Sequence, residues 1–120
     1  MRYMMLTYLP PMTEAPSREE AQALLAEYTA VHNAFMEEGI LLAAERLYGE
    51  DSATTLSIRD DKTLTTDGPF AETKEQLGGI YVFDVEDLDA AIAVAKRIPS
   101  ARVGHIEIRP IMEIPVESDM

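Results

Sequence analysis

Cysteine is absent from this sequence of 120 residues. Disulfide cross-links, cysteine nucleophiles and cysteine-ligated metals are therefore excluded. Long apolar runs are absent too, because no stretch approaches the roughly 20 apolar residues that a membrane-spanning helix needs. The first ten residues lack the long apolar core and the small-residue cleavage site of a signal peptide, and they have the pattern of a first strand. We therefore expect a cytoplasmic protein with no membrane partner.

Positive charge is scarce. Ten lysines and arginines stand against 22 aspartates and glutamates, so the net charge is −12 at pH 7. Affinity for nucleic acid comes mainly from cations that neutralise phosphates, and we expect no DNA or RNA partner. An acidic surface serves solubility, and a dedicated cationic protein partner is the alternative.

The common catalytic signatures are also missing. The sequence has no Gly-x-Ser-x-Gly, no phosphate-binding loop and no Gly-x-Gly-x-x-Gly. Its two histidines, His32 and His105, show no metal-ligand spacing. His32 falls one place off the apolar stripe of the first predicted helix, which favours a boundary or exposed position, and His105 falls in the last predicted strand. We expect no metal and no cofactor.

The residues that are present predict one packed α+β domain. Apolar residues make up 47% of the chain, enough for a core. Ser17 and Glu20 have the spacing of a capping box, Tyr28 and Phe35 belong to an apolar stripe, and Gly39 suits a helix end. The predicted order is strand 2–9, helix 17–38, strand 40–47, hairpin 54–66, strand 77–85, helix 87–98 and strand 103–114.

This order is the split βαβ arrangement of a ferredoxin-like fold, with one sheet and two helices on one of its faces. The apolar composition of strand 2–9 predicts burial on both faces. A sheet covered on one side leaves an apolar face, so we expect a homodimer with its sheets packed face to face. The domain is predicted to cover residues 1–115, with residues 116–120 as a frayed tail.

One stretch, residues 65–79, carries most of the information about identity. Residues 67–69, Asp-Gly-Pro, predict a rigid turn, and Phe70 follows as an apolar anchor. Thr73 and Gln76 have capping-box spacing, which predicts a short helical turn. The Asp-Gly-Pro-Phe sequence and the residues that follow it to Gly79 resemble the DGPF branch of the YCII-related proteins.

This resemblance covers nearly the whole chain and implies the dimeric α+β barrel form of the fold. Most members of that branch have no assigned reaction, so the resemblance names no substrate. Many are encoded near extracytoplasmic-function sigma factors, which implies a sigma-factor-linked regulatory association. Better known YCII proteins pair a histidine on the first helix with a later aspartate. Here Tyr28 stands at the helix position and Glu45 lies on the way to the aspartate, so that pair is not reproduced.

The functional hypothesis is that Phe70 closes a pocket between the sheet and the first helix, with Asp67 or Glu45 facing it. Burial raises the pKa of a carboxylic acid, which could then exchange a proton with a small cyclic or aromatic compound. The candidate residues are Asp67 and Glu45 as catalytic carboxylates, and Phe70, Tyr28, Lys74 and Arg109 for ligand binding.

The structural alternative makes Asp67 a cap of its own turn and Phe70 a plug of the core. For function, the first hypothesis is a small-ligand-binding homodimer, with a lyase or isomerase as its enzymatic form. The alternative is a non-catalytic interaction or regulatory module. The sequence leaves open whether any reaction is catalysed.

Overall fold

The strand predicted at the start of the chain, β1 (Arg2–Leu9), lies inside a four-stranded antiparallel sheet. The computed structural model describes residues 1–11, 15–71 and 73–114. The other three strands of this sheet are β2 (Leu41–Arg46), β5 (Gln76–Asp84) and β6 (His105–Pro110). In the sheet the strand order is β2–β5–β1–β6.

The first helix, α1 (Arg18–Glu38), begins and ends as its sequence predicts. The Glu20 backbone N–H donates to the Ser17 hydroxyl at 3.1 Å, which satisfies one of the free donors of the first turn. At the other end Gly39 has φ of 72°, the left-handed conformation that glycine adopts without strain.

The second helix is shorter than predicted, and a third follows it. Asp87 caps α2 (Leu88–Ala95) by accepting from the Ala90 N–H at 2.9 Å. After Pro99 the chain forms a further short helix, α3 (Ser100–Val103), where we predicted the last strand to begin. That strand, β6, covers residues 105–110 and not 103–114, and it lies at the edge of the sheet as Pro110 indicated.

The core lies between the helices and one face of the sheet. Phe35 of α1 and Phe83 of β5 are fully buried and meet edge to face, with ring centroids 4.9 Å apart. The Arg97 guanidinium carbon sits 4.6 Å from the centre of the Phe35 ring, and its Nη1 donates to a Glu38 carboxylate oxygen at 2.9 Å. This hydrogen bond holds the pKa of Glu38 below its ordinary value.

The prediction that β1 is buried on both faces is wrong. Tyr3, Met5 and Thr7 point toward the helices and are buried, whereas Met4 and Leu6 on the other face are half-buried. Successive side chains of a strand alternate between the faces of a sheet, and the core residues of the helices pack only on the face of Tyr3, Met5 and Thr7. We call the opposite face, which no described helix covers, the open face.

A two-stranded hairpin is inserted between β2 and β5. It consists of β3 (Thr54–Arg59) and β4 (Lys62–Asp67), and Asp60 and Asp61 make its turn with φ of 51° and 63°. These positive angles are those of the tight turns that match the twist of paired strands.

Without this insertion the strand order of the main sheet is compatible with the predicted ferredoxin-like plan. The structure thus confirms a mixed α+β single domain with antiparallel sheets, and the described residues form three α-helices where two were predicted. The dimeric barrel form stays a prediction.

Two local predictions concern residues beside or beyond the ends of the described ranges. The short helical turn predicted from Thr73 to Gln76 is wrong, because Gln76 is already the first residue of β5 and the Thr73 hydroxyl donates to the Glu75 carbonyl. The predicted frayed tail at 116–120 lies outside the described residues. Within the described ranges, no helix combines the length and the apolar character needed to cross a bilayer.

Candidate functional site

A hollow of about 440 Å³ opens between α1 and the sheet, and we call it the α1 cavity. Its floor is the helix-facing side of β1, β2 and β5, its roof is the middle of α1, and Ser100 of α3 closes one side. The lining residues are Thr7, Leu9, Leu24, Tyr28, Thr29, His32, Ala44, Glu45, Arg46, Gly78, Gly79, Tyr81 and Ser100.

Two adjacent glycines explain why the floor is hollow. The backbone passes so close that a Cβ on Gly79 would lie 2.8 Å from the Glu45 carbonyl oxygen, a contact that real side chains do not make. The buried Thr7 hydroxyl donates to the Gly79 carbonyl at 3.1 Å, so its donor already has a hydrogen-bond partner within the floor. Because Gly78 and Gly79 bring no side chains, the space above them is left free.

One hydrogen bond ties the roof of the cavity to its side wall. The hydroxyl oxygens of Tyr28 and Ser100 are 2.6 Å apart, and Ser100 is buried. Either hydroxyl can donate, and the bond holds the Tyr28 ring at the cavity wall.

The strand register places a cation on the cavity side. Arg46 of β2, Gly79 of β5 and Thr7 of β1 form one cross-strand row. Directly paired residues project to the same face of a sheet, and Thr7 faces the helices. The Arg46 side chain therefore starts from the cavity side of β2.

The electrostatics of Tyr81 agree with this placement. Burial raises the pKa of Tyr81, the neighbouring Tyr28 adds to the rise, and the positive charge of Arg46 opposes it. Tyr81 pairs with Ala44, two residues before Arg46 and on the same face of the sheet, and it stacks on Phe83 with ring centroids 5.8 Å apart. The cavity thus combines two phenols with a guanidinium and the imidazole of His32.

Of the six candidates from the sequence, the structure brings two to the α1 cavity, Tyr28 and Glu45. Glu45 pairs with Ile80, while its neighbours Ala44 and Arg46 pair with residues of the cavity floor. The alternation of side chains therefore directs the Glu45 side chain toward the open face, although the residue borders the cavity.

The prediction that Phe70 closes the pocket is wrong, and so is the alternative that it plugs the core. Its side chain is 92% exposed, beside β3 and not under α1. Asp67 ends β4 and is exposed, and it does not line the cavity. The turn after it is held by a bond from the Gly68 N–H to the Ala53 carbonyl at 2.7 Å.

The two remaining candidates lie elsewhere as well. Lys74 is exposed between Thr73 and the start of β5. Arg109 is on β6 opposite Met4, which places it on the open face, and its Nε lies 3.2 Å from a Glu107 carboxylate oxygen. The catalytic and binding roles assigned to these residues stay predictions.

Sequence reasoning missed most of the polar groups of the cavity, which are Thr7, His32, Arg46, Tyr81 and Ser100. His32 could have been found, since it follows Tyr28 by one helical turn and such residues share a helix face. Ser100 could not, because only the packing of α3 brings it to Tyr28. Within the described part of the chain, no three His, Asp or Glu side chains converge in a way that could hold a metal ion.

Comparison with known proteins agrees with the resemblance found in the sequence. Residues 1–115 match the family described as the YCII-related domain. The chain is also 38% identical over 102 residues to an uncharacterized protein of Rhizobium meliloti (strain 1021), in a match that covers 83% of this chain and 82% of that relative. The assignment to the DGPF branch within the family stays a prediction.

Proposed function

The chain belongs to the YCII-related family, and from that premise we propose that it is a homodimeric protein that binds a small organic anion in the α1 cavity. The observation that carries the proposal is the cross-strand row that sets Arg46 beside the hollow over Gly79.

The size and walls of the cavity suit a small ligand. Its volume of about 440 Å³ falls within the roughly 300–1,000 Å³ of small-molecule sites. Leu9 and Leu24 supply apolar surface, while Tyr28 and Tyr81 add aromatic surface with hydroxyl groups. Such walls favour a cyclic or aromatic compound with one polar end.

The charge distribution favours an anion. Arginine presents its donors in a planar fork that matches a carboxylate. His32 adds a second nitrogen donor at the same cavity, and the side chain of Glu45 is directed to the other face of the sheet. The chain has a net charge of −12, but salt screens the carboxylates that lie far from the cavity. At short range the positive charge of Arg46 therefore favours an anion.

The test is a thermal-shift series that compares aromatic and cyclic carboxylates with their neutral amides, for example benzoate with benzamide. We expect carboxylates to raise the melting temperature in proportion to the logarithm of their concentration, since binding to the folded state stabilises it by mass action. Arg46→Gln should remove this effect. Arg59→Gln, a matched loss of charge on the β3–β4 hairpin, should keep it.

Three outcomes count against the proposal. If no carboxylate of the panel shifts the wild-type transition, the cavity is not an anion site. Equal stabilisation by amides and carboxylates, or full retention of the effect in Arg46→Gln, would remove the role given to the guanidinium.

The enzymatic form of the hypothesis, a lyase or isomerase with a carboxylate acid–base group, requires the Glu45 carboxylate to turn from the open face into the cavity that the residue borders. Glu45→Gln would then preserve binding and abolish turnover of a ligand found by the screen. Asp67→Asn is the parallel test for the residue that the structure leaves outside the cavity. If both variants turn the ligand over normally, carboxylate chemistry at these positions is wrong.

The homodimer is supported by the composition of the open face. Met4 and Leu6 of β1 lie beside Val82 and Ile80 of β5, so an apolar centre spans the two middle strands. Without a covering layer, such a face favours association. Sedimentation equilibrium tests the homodimer directly. The alternative of a sigma-factor-linked regulatory module stays a prediction, and a ligand-free cavity in the screen would favour it.

A further inference from the structure

We infer that the β3–β4 hairpin, together with Phe70, is a dimerisation arm that packs against a second copy of this chain. The inference rests on the proposed homodimer and adds to it the element that makes the dimer stable.

The hairpin forms a sheet of its own. Its strands pair only with each other among the described residues, and neither packs extensively on the helices or the main sheet. The molecule is correspondingly wide and thin, with extents of 50 × 44 × 22 Å. An isolated two-stranded hairpin is marginally stable in water, so this element needs a surface to pack on.

Apolar side chains are exposed on both faces of the hairpin. Leu56 and Ile58 lie on one face and are each 59% exposed, and Leu64 is 52% exposed on the other. Leu56 and Ile58 are neighbours on one face of β3, and contiguous exposed apolar surface is typical of an interaction site.

Phe70 makes a groove with this hairpin. The ring is 92% exposed, and the space of about 650 Å³ beside it is lined by Pro69, Thr66 and the consecutive residues 55–59 of β3. Consecutive residues of one strand line a groove when it runs along the free edge of that strand, because both side-chain faces border it. An edge with unpaired backbone groups beside an aromatic ring is suited to receive a segment of another chain.

The area that a stable dimer needs identifies the second copy as the occupant. The main sheet has four strands, and at about 4.8 Å between strands and about 3.3 Å per residue its open face offers about 500 Å². An interface of standard size takes about 800 Å² from each partner, so the open face alone falls short of that size. One face of the hairpin adds about 200 Å² by the same spacings, and an aromatic ring such as Phe70 adds about 150–250 Å².

The available area reaches the standard size only when the hairpin takes part. The hairpin is inserted between β2 and β5, which are neighbours at one edge of the main sheet. It therefore arises at the border of the surface that the proposed homodimer already uses.

Sedimentation equilibrium of the full chain over a concentration series tests the inference. We expect Leu56→Asp and Phe70→Ser each to raise the dimer Kd at least tenfold. The matched control is Leu25→Asp, because Leu25 is 62% exposed on α1, close to the value of Leu56. It should leave the Kd unchanged, with circular dichroism as the check of folding for every variant.

The outcomes separate the two claims. A wild-type chain that is monomeric at about 100 μM ends the homodimer and the arm together. A wild-type dimer whose Kd is unaffected by Leu56→Asp and Phe70→Ser overturns the arm alone.

If the variants fail to fold, hydrogen exchange on the wild-type chain decides. The amides of β3 should exchange faster on dilution below the Kd, while those of β1 stay protected. A β3 exchange rate independent of concentration overturns the inference.

Discussion

The hydroxyl oxygens of Tyr28 and Ser100 lie 2.6 Å apart and join α1 to α3 at the wall of the α1 cavity. These residues are 72 positions apart in the chain. The bond sets the position of a helix whose N-terminal half is otherwise exposed, and with it the shape of the cavity.

The first prediction is that Tyr28 and Ser100 are energetically coupled. Tyr28→Phe leaves the buried Ser100 hydroxyl without its partner, which we expect to cost about 1–3 kcal/mol of unfolding free energy. Ser100→Ala should cost less, because the half-buried Tyr28 hydroxyl can turn to water. The double variant should be about as stable as Tyr28→Phe alone or more stable, as urea unfolding will show.

Additive losses would mean that the two hydroxyls act independently. Tyr48→Phe is the matched control, since Tyr48 is 91% exposed and its hydroxyl has water as a partner. Its unfolding free energy should stay within about 0.5 kcal/mol of the wild type.

The second prediction concerns the ionisation of Tyr81. Arg46 opposes the rise that burial and Tyr28 cause in the pKa of Tyr81. Arg46→Gln should therefore raise that pKa further, whereas Arg59→Gln on the hairpin should not change it. NMR titration of ring-labelled tyrosine, with Tyr81→Phe to assign the signal, measures both. An unchanged value in Arg46→Gln would show that the guanidinium does not reach the cavity.

A pH dependence of stability follows from the same residue. The pKa of Tyr81 is higher in the folded chain than its ordinary value of 10.0, so the unfolded chain loses this proton first as the pH rises. The contribution of neutral Tyr81 to the free energy of unfolding is fully present below about pH 10, and it is lost as the pH rises through the folded-state pKa of Tyr81. In Tyr81→Phe the fall of stability above pH 10 should be smaller.

The third prediction concerns Gly104, at the junction of α3 and β6. A Cβ at this position would lie 1.9 Å from the Tyr8 carbonyl oxygen, so Gly104→Ala has to move the backbone of β1 or β6. We expect a loss of more than about 4 kcal/mol or a failure to fold.

The comparison for this variant is Gly39→Ala. Gly39 has φ of 72° but open space around it, so only the strain of a left-handed alanine opposes the change, about 1 kcal/mol. Equal losses in the two variants, measured by urea unfolding, would contradict the close contact at Gly104.

The fourth prediction concerns the core. Phe35 is fully buried between Phe83 and the guanidinium of Arg97, and we expect Phe35→Ala to cost about 3–5 kcal/mol. Leu25→Ala, on the exposed side of α1, should change stability by less than about 0.5 kcal/mol. A small loss in Phe35→Ala would mean that the contact between α1 and the sheet contributes little.

Much of the fold was predictable because its signals are local. Ser17 and Gly39 mark the ends of α1 through bonds within one turn of the helix. The hairpin was predicted from alternation on both sides of Asp60 and Asp61, and its strands lie within one or two residues of the predicted range. The helix after Pro99 was missed, because a proline reads equally as the end of one helix and as the first turn of the next.

The candidate site was predictable only in part. Tyr28 and Glu45 were assigned from the resemblance, and both border the cavity. Phe70 was assigned from its place beside a rigid turn, but such a turn fixes the direction of the chain and does not determine what the next side chain packs on. Arg46 belongs to no recognisable motif, and the register of β2 against β5 decides on which face of the sheet its side chain lies.

The sequence by itself determined most of the helices and strands, both ends of α1, and the family to which the chain belongs, because these depend on neighbouring residues. Only the tertiary structure decided that the hollow lies over Gly78 and Gly79, that Arg46 rather than Glu45 starts on its side, and that Phe70 stands in solvent. The physical reason is that a strand alternates its side chains at every residue. A register that shifts by one position exchanges the two faces of a sheet, and long-range pairing sets that register.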